Sequence, residues 1–328
     1  MRTNEIVRRA AELKVAIPAF NIPYLPMMEP VVRATRDEDT FSLLAVARLE
    51  WIKFESGSMA AVRREYERFA DSEHVRLHLD HIPVIDEDDQ RVDYIANIRE
   101  ALDLGYESVM IDGSRLPFDE NVAATARVVE AAHAAGVPVE AELGAVLGHE
   151  AEPSMSYEEI VATRAGFTDP EEAARFVRES SCDWLSVAFG NIHGHVSKAL
   201  RDKEKVAARL DIEHLERIRA GAQVPLVLHG GSGISTEMLQ EAVRAGIAKV
   251  NVGTDIRQVY ERTLRQSGGG AGGEAGDAGA RAGTGGPAGG DPAIAAAREA
   301  VYERTRELIR EHFRISGMAG RLLGRQEG

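Results

Sequence analysis

One cysteine, Cys182, stands among 328 residues, so no disulfide can form within the chain, and the count suits a reducing cytoplasm. Basic residues are outnumbered, with 39 Lys and Arg against 53 Asp and Glu, and the resulting net charge of −14 argues against nucleic acid or an anionic membrane surface as the main partner. No stretch approaches the roughly 18 consecutive apolar residues of a membrane-spanning helix. The opening residues Met1-Arg2-Thr3-Asn4-Glu5-Ile6 lack the apolar segment of a secretory signal. What these absences leave is a cytoplasmic enzyme or small-molecule binding protein, long enough to bury a sizeable core.

Short apolar runs alternate with longer amphipathic stretches. The runs fall at about 15–21, 41–48, 75–81, 108–114, 137–144, 183–190, 224–231 and 247–254, each bounded by Gly, Pro, Asn, Asp or Ser. Helical spacing is clearest over 120–135, where Val122, Ala126, Val129 and Ala132 recur and Gly136 stops the pattern. Eight strand–helix units predict a single (β/α)8 barrel domain over 1–328, with an open doubly wound sheet as the alternative. Half of the positions at 267–290 are glycine and most others are small or polar, which predicts a flexible insert. Beyond it, Pro292 opens a C-terminal helix expected over 292–315.

Three histidines, His81, His193 and His229, each follow one of the apolar runs. Strands of a parallel sheet are apolar on both faces, so polar residues collect where they end, and in a barrel those ends converge on one mouth. Three imidazoles meeting there would hold a divalent cation, zinc by preference, with one position open for a substrate oxygen. His74, His133, His214 and His312 lie in helical or loop contexts and read as structural, whereas His78, His149 and His195 are open to either reading.

The strings Leu77-His78-Leu79-Asp80-His81, Met110-Ile111-Asp112-Gly113-Ser114 with Glu120-Asn121, Val139-Glu140-Ala141-Glu142-Leu143-Gly144, Phe189-Gly190-Asn191-Ile192-His193-Gly194, His229-Gly230-Gly231-Ser232-Gly233 and Lys249-Val250-Asn251-Val252-Gly253-Thr254-Asp255 occur in this order. Together they resemble the class II, metal-dependent ketose-phosphate aldolases, the family that includes the fructose-bisphosphate enzymes. The resemblance implies a barrel that reversibly cleaves a ketose phosphate into dihydroxyacetone phosphate and an aldehyde, in a homodimer or homotetramer. It further implies that His81, His193 and His229 hold the catalytic Zn2+. Asp80 becomes the acid/base, Glu142 a ligand to an alternative or second divalent position, and Asp112 a residue that steadies the metal pocket. A monovalent cation, Na+ or K+, accompanies the site in relatives.

The same resemblance makes Glu150, on the loop after the fifth run, the base at carbon, although Leu147-Gly148 stands where relatives carry two glycines. Gly194, Gly230, Gly231, Ser232, Asn251, Gly253 and Thr254 resemble the phosphate cradle, where glycines let the backbone approach closely. At the acceptor end the candidates are Asn21 and Arg48. Relatives that take a bisphosphate carry a Gln-x-Ser type segment there, whereas this strand ends Ala45-Val46-Ala47-Arg48-Leu49-Glu50. Arg48 would either meet a second phosphate or pair with Glu50 around a smaller, unphosphorylated aldehyde. A metal-dependent hydrolase would more often carry a His-x-His pair in the first run, and Pro18-Ala19-Phe20-Asn21 has none. A catalytically altered sugar-phosphate binding protein of the same fold is the alternative reading.

Overall fold

In the computed structural model, which describes residues 1–144, 157–191, 209–268 and 291–325, every one of the predicted runs carries a strand. They are β1 (Ile17–Asn21), β2 (Ser42–Val46), β3 (Val75–Pro83), β4 (Ser108–Asp112), β5 (Val139–Leu143), β6 (Trp184–Val187), β7 (Leu226–Leu228) and β8 (Ile247–Val252). Each pairs in parallel with its successor, and β8 returns to pair with β1, with Ala19 opposite Asn251. The sheet therefore closes into a barrel, and the open doubly wound alternative falls. The helix expected over 120–135 is Phe118–Ala134, and Gly136 beyond it adopts a φ of +72°, the left-handed conformation that ends helices.

Alternation along the strands builds two cores. Outward-facing Leu77 and Leu79 of β3, Val109 and Ile111 of β4, and Ala141 and Leu143 of β5 pack under the surrounding helices. Inward-facing Ile17 and Ala19 of β1, Leu43 and Ala45 of β2, and Trp184 of β6 pack instead against Ile6, Val7 and Ala10 of the helix Thr3–Leu13. That helix stoppers the N-terminal end of the barrel, and Trp184 Nε1 ties into it by donating to Asn4 Oδ1 at 3.0 Å. Each such side chain taken fully out of water contributes about 1.5–3 kcal/mol. With one end filled by apolar packing, polar side chains on the inner face gather at the other.

The C-terminal helix is present as Pro292–Glu307, continuing as a wider π-helical stretch over Leu308–Phe313. Arg304 grips Asp255 through paired bonds of 2.9 and 2.8 Å, and Arg306 and Arg310 both reach Glu38 at 2.7 Å, which clamps this extension to the barrel wall. The helix after β8 runs Thr254–Gly268 and so takes in the first two positions of the insert expected at about 267–290, while 269–290 lie outside the described residues. Among the described residues, no helix is long and apolar enough to cross a membrane.

Candidate active site

Strand β3 supplies two adjacent side chains to the same mouth, which regular alternation forbids. His78 and Asp80, two apart, face the barrel interior, and His81 should face out. A bulge resolves the conflict: the β3–β4 register shifts between Leu79 and Ile82, and His81 takes a φ of +99°. This is backbone that glycine favours, and holding a histidine there costs on the order of 1–3 kcal/mol. The displacement brings His81 Nδ1 to 3.2 Å from Asp112 Oδ2 at the end of β4 and Nε2 to 3.4 Å from Glu142 Oε2 near the end of β5.

His229, immediately after β7, faces the same carboxylate, with Nδ1 at 3.3 Å from Glu142 Oε2, and its ring centre lies 5.2 Å from that of His81. One ligand-capable atom each from His81, Glu142 and His229 lies within 4.8 Å of the other two. The buried Glu142 Oε2 is satisfied by no hydrogen bond among the described residues although it confronts two imidazoles. Two imidazoles and a carboxylate are donors that zinc takes, so these residues fit the divalent cation that the sequence resemblance implies. The rear nitrogens are oriented as metal-bound histidines usually are: Asp112 backs His81, and Glu140 Oε1 lies 2.8 Å from His229 Nε2.

The local field favours a cation. Burial works against charge on both imidazoles, yet the Asp112 carboxylate raises His81 to about 10, and Glu140 with Glu142 raises His229 to about 9. Burial together with the Asp112 charge pushes Glu142 up.

Beneath this cluster a second buried group, His78, Asp80 and Glu140, also brings ligand-capable atoms together. Lys249 occupies its centre: Nζ donates to Glu140 Oε2 and to Asn251 Oδ1, each at 2.7 Å. Burial alone would raise the Glu140 carboxyl, but the ammonium and His229 hold it down at about 2. Asn251 Nδ2 in turn donates to both oxygens of Asp80 at 2.9 and 3.0 Å, and Asn21 Nδ2 donates to Asp80 Oδ2 at 2.8 Å. Asp80 is driven well below the usual carboxylate range: burial opposes the charge, but His78 and Lys249 outweigh it. One continuous polar chain thus runs from Asn21 through Asp80, Asn251, Lys249 and Glu140 to His229.

The cradle residues are held by their neighbours. Gly231 N–H donates to Asn251 O at 3.2 Å, and a Cβ at Gly231 would stand 2.5 Å from Val250 Cγ1 and 2.9 Å from Asn251 O. Ser232 Oγ accepts from Asp255 N–H at 3.2 Å, tying this turn to the first residues of the helix Thr254–Gly268. Gly230 has a φ of +74°, and Gly253 abuts Asn21, whose Cβ would lie 3.2 Å from an added one. Asn121 Nδ2 donates to Glu142 O at 3.0 Å and so fixes the end of β5. Asn191 Nδ2 donates to His229 O at 3.1 Å.

At the acceptor end Arg48 does not pair with Glu50: its Nη1 lies 3.3 Å from Asp86 Oδ2, while Glu50 Oε2 accepts the Ala47 N–H at 2.7 Å. Of the two alternatives for Arg48, the pairing with Glu50 is not formed, because the turn into the helix Arg48–Lys53 captures Glu50 for its own first amide. His193, Gly194 and Glu150, with His149 and His195, lie outside the described residues. Among the histidines read as structural, His133 Nε2 meets Asp183 Oδ2, and His214 Nε2 meets Thr168 O, each at 2.8 Å. His312 Nδ1 lies 3.0 Å from Thr236 Oγ1.

Glu140, Lys249 and Asn121 were not singled out by sequence reasoning for the parts they take here. The signal was the spacing: His78/Asp80, Glu140/Glu142 and Lys249/Asn251 are polar pairs two apart inside otherwise apolar strands, which puts both members on the inner face.

A match to the family described as "Fructose-bisphosphate aldolase class-II" spans residues 1–321. A fructose-bisphosphate aldolase of Geobacillus stearothermophilus is 33% identical over 265 residues, covering 80% of this chain and 83% of that protein. One from Staphylococcus aureus (strain Mu50 / ATCC 700699) is 34% identical over 264 residues, covering 80% and 83%. Among solved structures, the YdjI aldolase from Escherichia coli K12 superposes with a TM-score of 0.69 at 26% identity, over 94% of this chain and 96% of that one. A match along nearly the whole sequence, on a closed barrel whose mouth gathers histidines and carboxylates, leaves one assignment: the chain belongs to the class II fructose-bisphosphate aldolase family.

Proposed function

We propose that the protein is a metal-dependent aldehyde-lyase that cleaves a ketose 1-phosphate reversibly into dihydroxyacetone phosphate and an aldehyde. The observation that carries this reading is the placement of the ionised Asp80 beside a cation-seeking cluster, with both tied into one hydrogen-bonded chain. His81 and His229 would hold the metal, with His193 as the third ligand and Glu142 serving an alternative or second divalent position. Zinc bound there supplies the electrophile that stabilises the negative charge developing on the ketone oxygen, an effect worth several kcal/mol.

The chain's own groups supply the rest. In cleavage, Asp80 accepts the proton of the C4 hydroxyl as the C3–C4 bond breaks and C4 becomes the aldehyde carbon. The electron pair stays with the three-carbon fragment, which gains a proton at C3, the task given to Glu150. Asn21 and Asn251 keep Asp80 aimed, since both its oxygens accept their amides. The amides and hydroxyls around Gly194, Gly230, Gly231, Ser232, Gly253 and Thr254 seat the phosphate, with Na+ or K+ beside it. The family resemblance supports reading the enzyme as a cytoplasmic homodimer or homotetramer in carbohydrate metabolism.

The decisive experiment follows the carbon-bound protons of dihydroxyacetone phosphate by NMR in deuterated water. Exchange that requires zinc, disappears with a chelator and returns on readdition is the expected result. A zinc-loaded, folded protein that leaves those protons untouched would sink the reading and favour a sugar-phosphate binding protein.

A further inference from the structure

Near the end of the mouth assigned above to the acceptor stand Asn21, the last residue of β1, Asp80 on β3, and Glu50 on the helix that follows β2. Glu50 is only 8% exposed, lies in the first turn of the helix Arg48–Lys53, and has the Asn21 side chain as a hydrogen-bonding neighbour with the Asp80 charge nearby. Among the described residues, two arginines approach this end, and each is paired with a carboxylate. Arg48 reaches Asp86 at 3.3 Å. Arg257 Nη1 binds Glu261 Oε1 at 3.0 Å, the oxygen that also accepts from Tyr24 OH at 2.9 Å, while its guanidinium lies 5.3 Å over the Phe54 ring.

We propose that Glu50 is a specificity residue that, with Asn21, binds the hydroxyls of an unphosphorylated aldehyde, so that the preferred substrate carries one phosphate and a neutral polyol end. This inference rests on the aldolase reading above and deepens it. A carboxyl and a carboxamide are suited to sugar hydroxyls, which donate and accept, whereas a phosphate dianion calls for uncommitted cations or clustered N–H donors. A dianion bound here would also lie beside the Asp80 carboxylate, and like charges at short range disfavour one another. Burial is the main cause that pushes the Glu50 carboxyl up to about 8, with a smaller contribution from Asp80 against the Ala47 amide.

The test measures condensation of dihydroxyacetone phosphate by the zinc-loaded full chain with matched aldehydes: D-glyceraldehyde against its 3-phosphate, and D-erythrose against its 4-phosphate. The proposal expects kcat/KM at least tenfold higher for the unphosphorylated member of at least one pair. A smaller ratio in both pairs, or preference for the phosphorylated aldehydes, overturns it. Glu50→Gly should lower the ratio at least tenfold, chiefly through the KM of the phosphorylated partner, and an unchanged ratio in folded variant protein also overturns it. Should that variant fail to fold, the wild-type ratios decide. Failure of the broader reading looks different: no aldehyde condenses and no proton of dihydroxyacetone phosphate exchanges.

Discussion

The Lys249 ammonium lies 2.7 Å from the Glu140 carboxylate, and both side chains are wholly removed from solvent. Removing one partner of such a pair strands a charge in the interior. Lys249→Met should therefore destabilise the fold by about 3–5 kcal/mol, and the Glu140→Gln/Lys249→Met double variant should recover most of that loss. Denaturant titration of wild type, both single variants and the double variant measures the coupling; independent, additive effects would contradict it.

Asp80 is proposed to move the hydroxyl proton, so Asp80→Asn should lower kcat by about 10²–10⁴ while zinc content stays at the wild-type level. The amide keeps the shape of the carboxylate but cannot accept that proton. A coupled cleavage assay with elemental analysis of the same preparation separates the two effects.

Asp112 backs His81 at 3.2 Å. Its replacement in Asp112→Ala should weaken zinc binding about 10–100-fold and leave activity recoverable at high zinc concentration. Competition with a chromophoric chelator reads the affinity directly.

Glu50 is raised in the folded state from 4.5 to about 8, chiefly by burial, against the Ala47 amide and with a smaller push from Asp80. The folded protein therefore holds this proton more tightly than the unfolded chain does between those values. Stability is retained at the acidic end of the window and declines as pH rises from about 4.5 through 8, by up to a few kcal/mol at 1.36 kcal/mol per pKa unit. Glu50→Gln should flatten that decline, making the variant more stable than wild type at pH 9. Thermal melts of both proteins across the range test this, and parallel curves would refute it.

A Cβ at Gly231 would stand 2.5 Å from Val250 Cγ1 and 2.9 Å from Asn251 O, both on β8. Gly231→Ala should push the turn away from β8, destabilise the fold by about 1–3 kcal/mol and raise KM for dihydroxyacetone phosphate more than it lowers kcat.

Much of this was legible before any coordinates. The eight runs read as strands because a strand buried on both faces is a continuous apolar stretch, and their regular spacing along the chain anticipated closure. The position of His81 was legible, but the means of presenting it was not: only the bulge and its φ of +99° explain how neighbours in sequence share one mouth. Arg48 shows the opposite failure. Its charge left a second phosphate and Glu50 both open as partners, but backbone direction at the start of a short helix sent it to Asp86 and gave Glu50 to the Ala47 amide. Such choices depend on where the chain turns, which residue spacing alone does not record.

Asp80, His81 and Glu142 hang from strands of a closed sheet, whereas Glu50 is presented by a six-residue helix after β2. With the roles proposed above, reaction machinery and partner selection reside on separable pieces of the molecule. Exchanging that one short segment between relatives is a route to new carbon–carbon bond-forming catalysts in which the ion-holding framework stays untouched.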